Sequence, residues 1–154
     1  MSTFTNLLFH VVYSTKYRKP TIERQWQDNL YGYIGGIIRD KKGTLLCMGG
    51  VADHVHILVK LSPTIAISEL LRLIKSNSSR MVNETIRPQI PFEWQPGYAA
   101  FSVSESQYPI VRKYILNQEE HHYMMSFEEE FIELLERHKI AYDPKYVFEQ
   151  EIGS

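Results

Sequence analysis

One cysteine, Cys47, is all the chain has, which excludes an internal disulfide and a cysteine-built zinc knuckle. The sequence also lacks any apolar run near the ~20 residues that a membrane-spanning helix needs. No basic segment precedes an apolar stretch, as it would in a secretory signal. There are no internal repeats and no low-complexity linker. These absences leave a single cytoplasmic domain over residues 1–154 as the expectation. What is present agrees: 154 residues with 44% hydrophobic and 23% charged side chains can bury an ordinary core.

A dominant charge is missing only on average. The net charge is −1, yet residues 1–118 hold 14 Lys and Arg against 8 Asp and Glu, or +6, while residues 119–154 hold 3 against 10, or −7. A basic body with an acidic tail suggests a polyanionic partner for the body; a solvated surface with a charged terminal helix would give the same count.

Periodicity sets out the elements. Leu7 to Ser14 reads as a first strand, and Ile22, Trp26, Leu30, Tyr33 or Ile34, and Ile37 or Ile38 recur at helical spacing, predicting a helix from about Thr21 to Asp40. Gly35-Gly36 within it implies close packing against a neighbour. Thr44–Val51 and residues 54–61 read as a hairpin. A helix from about Ala66 to Asn83 buries Leu70, Leu71, Ile74, Ser78 and Met81 and carries Arg72, Lys75, Ser76 and Ser79 on its other side. After a Pro-punctuated loop come a strand (98–104), a helix of about 107–125 capped by Ser106, and a helix 127–139 capped by Ser126. That last helix opens an acidic helical tail, 126–154, and its Phe127, Phe131, Leu134, Leu135 and His138 form one stripe. The order βαββαβ plus two helices predicts an α+β fold: a ferredoxin- or RRM-like antiparallel four-stranded sheet with helices on one face and further C-terminal helices.

Within the strand Asp53-His54-Val55-His56-Ile57-Leu58-Val59, residues two apart point the same way, so His54 and His56 lie side by side. Two parallel imidazoles on a rigid strand are two legs of a metal site, although a strand histidine is more often structural. Asp53 could hydrogen-bond one imidazole or simply make the turn. Later, Tyr114 and Gln118 are four apart and share a helix face. A Tyr there can be core packing or a nucleophile.

Four segments carry a family likeness: residues 9–18 (Phe-His-Val-Val-Tyr-Ser-Thr-Lys-Tyr-Arg), 53–59, 73–80 (Leu-Ile-Lys-Ser-Asn-Ser-Ser-Arg) and 114–122 (Tyr-Ile-Leu-Asn-Gln-Glu-Glu-His-His). Together they resemble the HUH-type single-tyrosine transposases of small bacterial insertion sequences, which act on single-stranded DNA. The resemblance implies that Tyr114 is the nucleophile and forms a 5′-phosphotyrosine with the DNA. It implies that His54, His56 and Gln118 hold Mg²⁺ or Mn²⁺. It further implies DNA hairpins at element ends as substrate, and a homodimer in which the tyrosine helix of one subunit completes the site of the other. An exposed first strand could pair two such sheets. His122, four past Gln118, could be another ligand or a supporting group; His121 has no assigned role. Lys16, Arg18, Arg72, Lys75 and Arg80 are candidate DNA contacts, with Arg112 and Lys113 flanking the tyrosine. The alternatives are a domesticated relative acting on chromosomal palindromic repeats, and a non-catalytic single-strand-binding module whose sheet aromatics, Phe9 and Tyr13, stack bases.

Overall fold

The computed structural model describes residues 1–148. β1 (Leu7–Ser14), β2 (Thr44–Val51) and β3 (His54–Leu61) fall where alternation places them, and β4 (Ala99–Ser102) is shorter than expected. All neighbours in the sheet are antiparallel, in the order β2-β3-β1-β4. β1 is therefore interior, and the expectation that it is an exposed pairing edge is corrected: the edges are β2 and β4.

Strand alternation sorts the sheet into two apolar faces. Val11, Tyr13, Val55, Ile57 and Val59 pack under α1 (Arg24–Asp40) and α2 (Ile67–Met81), whose buried residues are those the helical spacing selects. Gly35 is where α1 comes closest to the sheet, because a Cβ there would lie 3.2 Å from a Leu45 methyl. The alternative role for Phe9 and Tyr13 fails here: both face this helix layer, and Tyr13 lies in its core, so neither offers a base-stacking surface.

The opposite face carries His10, Val12, His54, His56 and Leu58. It is covered by α3 (Tyr108–Leu116), α4 (Gln118–His121) and α5 (Phe127–Arg137). Gly49 on β2 is what lets α3 dock, since a Cβ at that position would overlap the Ile115 carbonyl.

Three boundaries differ from expectation. The predicted helix 107–125 breaks at Asn117 (φ −102°, ψ 24°), separating α3 from α4. Ser106 does not cap it: a short 3₁₀ turn, Glu105–Gln107, intervenes and the Ser106 hydroxyl pairs with Ser104. Ser126 does cap α5, accepting from the Glu129 amide at 3.2 Å. The acidic tail is helical only through α5; residues 138–148 form turns and irregular chain, and 149–154 of the predicted tail lie outside the described residues.

Candidate active site

β3 aims His54 and His56 at the C-terminal helices, and both are fully buried. Each ring is fixed from behind. His54 Nδ1 is 2.7 Å from Asp53 Oδ1, so Asp53 both makes the turn and orients the ring; His56 Nδ1 is 2.8 Å from His10 Nε2. Fixing one ring nitrogen sets which way the other faces, the usual support for an imidazole ligand. Both Nε2 atoms face inward.

What they face is a residue the sequence reading passed over. Glu130 of α5 is 1% exposed, and its Oε1 lies 3.3 Å from His54 Nε2, 3.0 Å from His56 Nε2 and 3.0 Å from His122 Nε2. Its Oε2 accepts hydrogen bonds from the Tyr114 hydroxyl and, at 3.1 Å, from Gln118 Nε2, with His121 Nε2 3.4 Å away. Gln118 Oε1 is itself 3.0 Å from His54 Nε2. The predicted four, His54, His56, Tyr114 and Gln118, thus converge, and Glu130 sits among them. A signal existed: Glu130 lies three past Phe127 and four before Leu134, inside the apolar stripe of α5, where a charge is out of place.

The electrostatics follow from this crowding. Burial works against an ionised Glu130, but hydrogen bonds from His122, His54 and His56 overcome it and hold the carboxyl well below its usual range. Burial alone would depress His54, yet its bonds to Asp53 and Glu130 raise it to about 9. Burial wins at His56 (about 4) and at His10 (about 3). Tyr114 is pushed up by burial first and then by the Glu130 charge. The resting pair is accordingly a phenol donating to a carboxylate.

Among the described residues, His54, His122 and Glu130 form a group whose donor atoms all lie within 4.8 Å of one another, a spacing that could hold a metal ion. Imidazoles with a carboxylate and an amide oxygen form a mixed donor set that Mn²⁺ accepts and that Mg²⁺ tolerates through its oxygens. The residues present fit such an ion.

The basic candidates do not gather at this centre. Lys16 is 4.0 Å from Glu93, and Arg18 pairs with Glu128 of α5 and covers the Phe148 ring. Arg72 pairs with Glu69, and Arg80 donates to Asn77, both on α2 across the sheet from Tyr114. Lys75 is the most enclosed of them. Its ammonium is tied to the Gln95 and Gly97 carbonyls above the Tyr13 ring, and burial lowers it to about 8.

The geometry is thus a tyrosine held against a buried histidine–carboxylate centre on a four-stranded antiparallel sheet. The family model described as "Transposase IS200 like" matches residues 3–118. The chain belongs to that family. It is 27% identical over 118 residues to the ISDra2 transposase TnpA of Deinococcus radiodurans, covering 73% of this chain and 84% of that one. The transposase of insertion sequence IS200 from Salmonella typhimurium is 25% identical over 79 residues, about half of each chain. Among solved structures, a candidate transposase from Deinococcus radiodurans matches with TM-score 0.61 and 25% identity over 77% of this chain and 95% of that one. A REP-associated tyrosine transposase bound to a REP hairpin shares the fold at TM-score 0.57 and 16% identity, covering 75% of this chain and 70% of that one. The family match ends at Gln118, so His121, His122 and Glu130 lie beyond it.

Proposed function

We propose that the protein is a transposase that cleaves and rejoins single-stranded DNA at hairpin-marked ends through Tyr114, using a divalent metal. The observation that carries this reading is the convergence of Tyr114, His54, His56 and Gln118 on one buried point of a chain in the IS200-like family.

The chemistry is a transesterification. The Tyr114 oxygen attacks the scissile phosphorus, its O–H bond breaking as the proton passes to Glu130 Oε2, the acceptor it already faces. The new bond joins tyrosine to the 5′ phosphate, and the bond to the 3′ oxygen breaks, leaving a 3′ hydroxyl once that oxygen is protonated. A 3′ hydroxyl attacking the phosphotyrosine reverses these steps and joins ends, so no nucleotide cofactor is required. When bound, Mg²⁺ or Mn²⁺ would neutralise charge on a non-bridging phosphate oxygen as a Lewis acid. His54 and His56 would hold it, with Gln118 Oε1 as the further oxygen the resemblance implies. His10 and Asp53 keep the two rings turned toward it.

The resemblance implies a homodimer with shared sites. Within one chain, however, Tyr114 already bonds Glu130, and its ring centroid is 5.7 Å from that of His56. We therefore read the site as acting in cis. Lys16 and Arg18 just after β1, and Arg72, Lys75 and Arg80 on α2, are the proposed backbone contacts. A domesticated relative working on chromosomal palindromic repeats would use the same site; palindromes flanking the gene in pairs, rather than scattered singly, mark the mobile element.

Tyr114→Phe tests the reading. It removes only a hydroxyl, so the variant should bind hairpin-bearing single strands within about threefold of wild type yet form no denaturant-resistant adduct. An adduct persisting in the Phe variant would move the nucleophile elsewhere. Undiminished cleavage in excess chelator would remove the metal from the account.

A further inference from the structure

We propose that His122 and Glu130, both beyond the segment the family model matches, are ligands of the same divalent cation that the reading above assigns to His54 and His56. The inference rests on that reading and adds two ligands to it.

Hydrogen-bond chemistry points this way. His122 Nδ1 lies 2.6 Å from the Met125 carbonyl oxygen, which can only accept, so Nδ1 carries the hydrogen. That leaves Nε2 as the ring's inward atom, 3.0 Å from Glu130 Oε1, and available as a lone pair once a metal displaces any proton there. His54 repeats the pattern. Its Nδ1 donates to Asp53 Oδ1, and its Nε2 faces two oxygens, Gln118 Oε1 at 3.0 Å and Glu130 Oε1 at 3.3 Å. In the metal-free protein ring protons lie between these nitrogens and oxygens; a cation would take their place and draw on the same lone pairs. Proton donation from all the rings is not a full answer. Three Nε2 atoms crowd Oε1, which has two lone pairs to give. One divalent cation could take lone pairs from His54, His122 and Glu130 together. The spacing suits it, with the His54, His122 and Glu130 donor atoms all within 4.8 Å of one another.

The backbone builds these two ligands in. His122 follows directly on α4, its Nδ1 bond to Met125 folds the connection to α5, and the Ser126 cap starts that helix. Glu130 then falls one turn into α5, pointing at β3. Its two oxygens divide the work: Oε1 faces the imidazoles and Oε2 faces Tyr114. Metal loading and α5 docking are therefore one coupled event.

Mn²⁺ titration of the full chain by calorimetry tests this, with hydrogen exchange on the same samples. Wild type should bind Mn²⁺; Glu130→Gln, which keeps the side chain's size and removes its charge, should lose at least tenfold in affinity, as should His122→Ala. Mn²⁺ should slow amide exchange in α5 of wild type, a readout that needs no variant to fold. Affinities of Glu130→Gln and His122→Ala equal to wild type, with α5 exchange unmoved by Mn²⁺, would overturn these two ligands and leave the His54–His56 site standing. A wild type that binds no Mn²⁺ would overturn the metal reading and this inference together.

Discussion

At the scale of single residues, the site is made by back-support as much as by the groups that face inward. Asp53 and His10 each hold the rear nitrogen of a buried imidazole. Asp53→Ala should therefore weaken Mn²⁺ binding about 10- to 100-fold while leaving the fold intact by circular dichroism. The protonation of His54 makes a second prediction. Its folded value, about 9, lies above the ordinary 6.5, so metal-free protein binds more protons folded than unfolded between those values. That contribution is fully present below about pH 6.5 and is lost as pH rises through 9, so denaturant midpoints of metal-free protein should fall across this window. With Mn²⁺ the trend should reverse, because the ligands must be deprotonated to bind. That His54 and His56 share one face, and Tyr114 and Gln118 another, was legible because a strand repeat of two and a helical spacing of four fix it, while their roles came only with the family resemblance. Glu130 was not, because ten acidic residues after position 118 made the tail read as solvated charge. Its place inside the Phe127–Leu134 stripe was the only local sign of burial.

Among elements, α3 is the one whose seat matters most, because it carries Tyr114, the proposed nucleophile. It rests on β2 at Gly49, where backbone meets backbone. Gly49→Ala should push α3 away, cost about 1–3 kcal/mol in chemical denaturation, and reduce adduct formation more than hairpin binding. Gly32 is the control: it sits mid-α1 with nothing within 4 Å of a would-be Cβ. Gly32→Ala should stabilise by up to about 1 kcal/mol and leave cleavage unchanged. The strands were legible almost to the residue, since alternating apolar side chains mark them and the sheet buries both faces. The helix break at Asn117 was not. Nothing in local propensity requires it, and it is tertiary packing that draws Gln118 to 1% exposure beneath the sheet.

The whole chain brings the basic body and acidic tail together: α5, with three acidic residues in its first turn, closes over the sheet and pairs Arg18 with Glu128. The charge split along the sequence thus includes an internal contact. If the site is complete within one chain, mixing Tyr114→Phe with His56→Ala should restore no cleavage, even in proven heterodimers. Recovery would show that tyrosine and histidines are exchanged between subunits. Among the described residues no helix is long and apolar enough to cross a membrane, and the fold matches two solved transposase structures over 77% and 75% of the chain. The central claim is that Tyr114 makes the covalent bond to DNA in a metal-dependent step. It is tested most directly by incubating wild type with single strands spanning the palindromes beside its gene, with Mn²⁺, and mapping the nucleotide-bearing peptide by mass spectrometry. The account predicts one modified residue, Tyr114, linked through a 5′ phosphate and absent when Mn²⁺ is chelated; an adduct on any other side chain, or one formed equally in chelator, would contradict it.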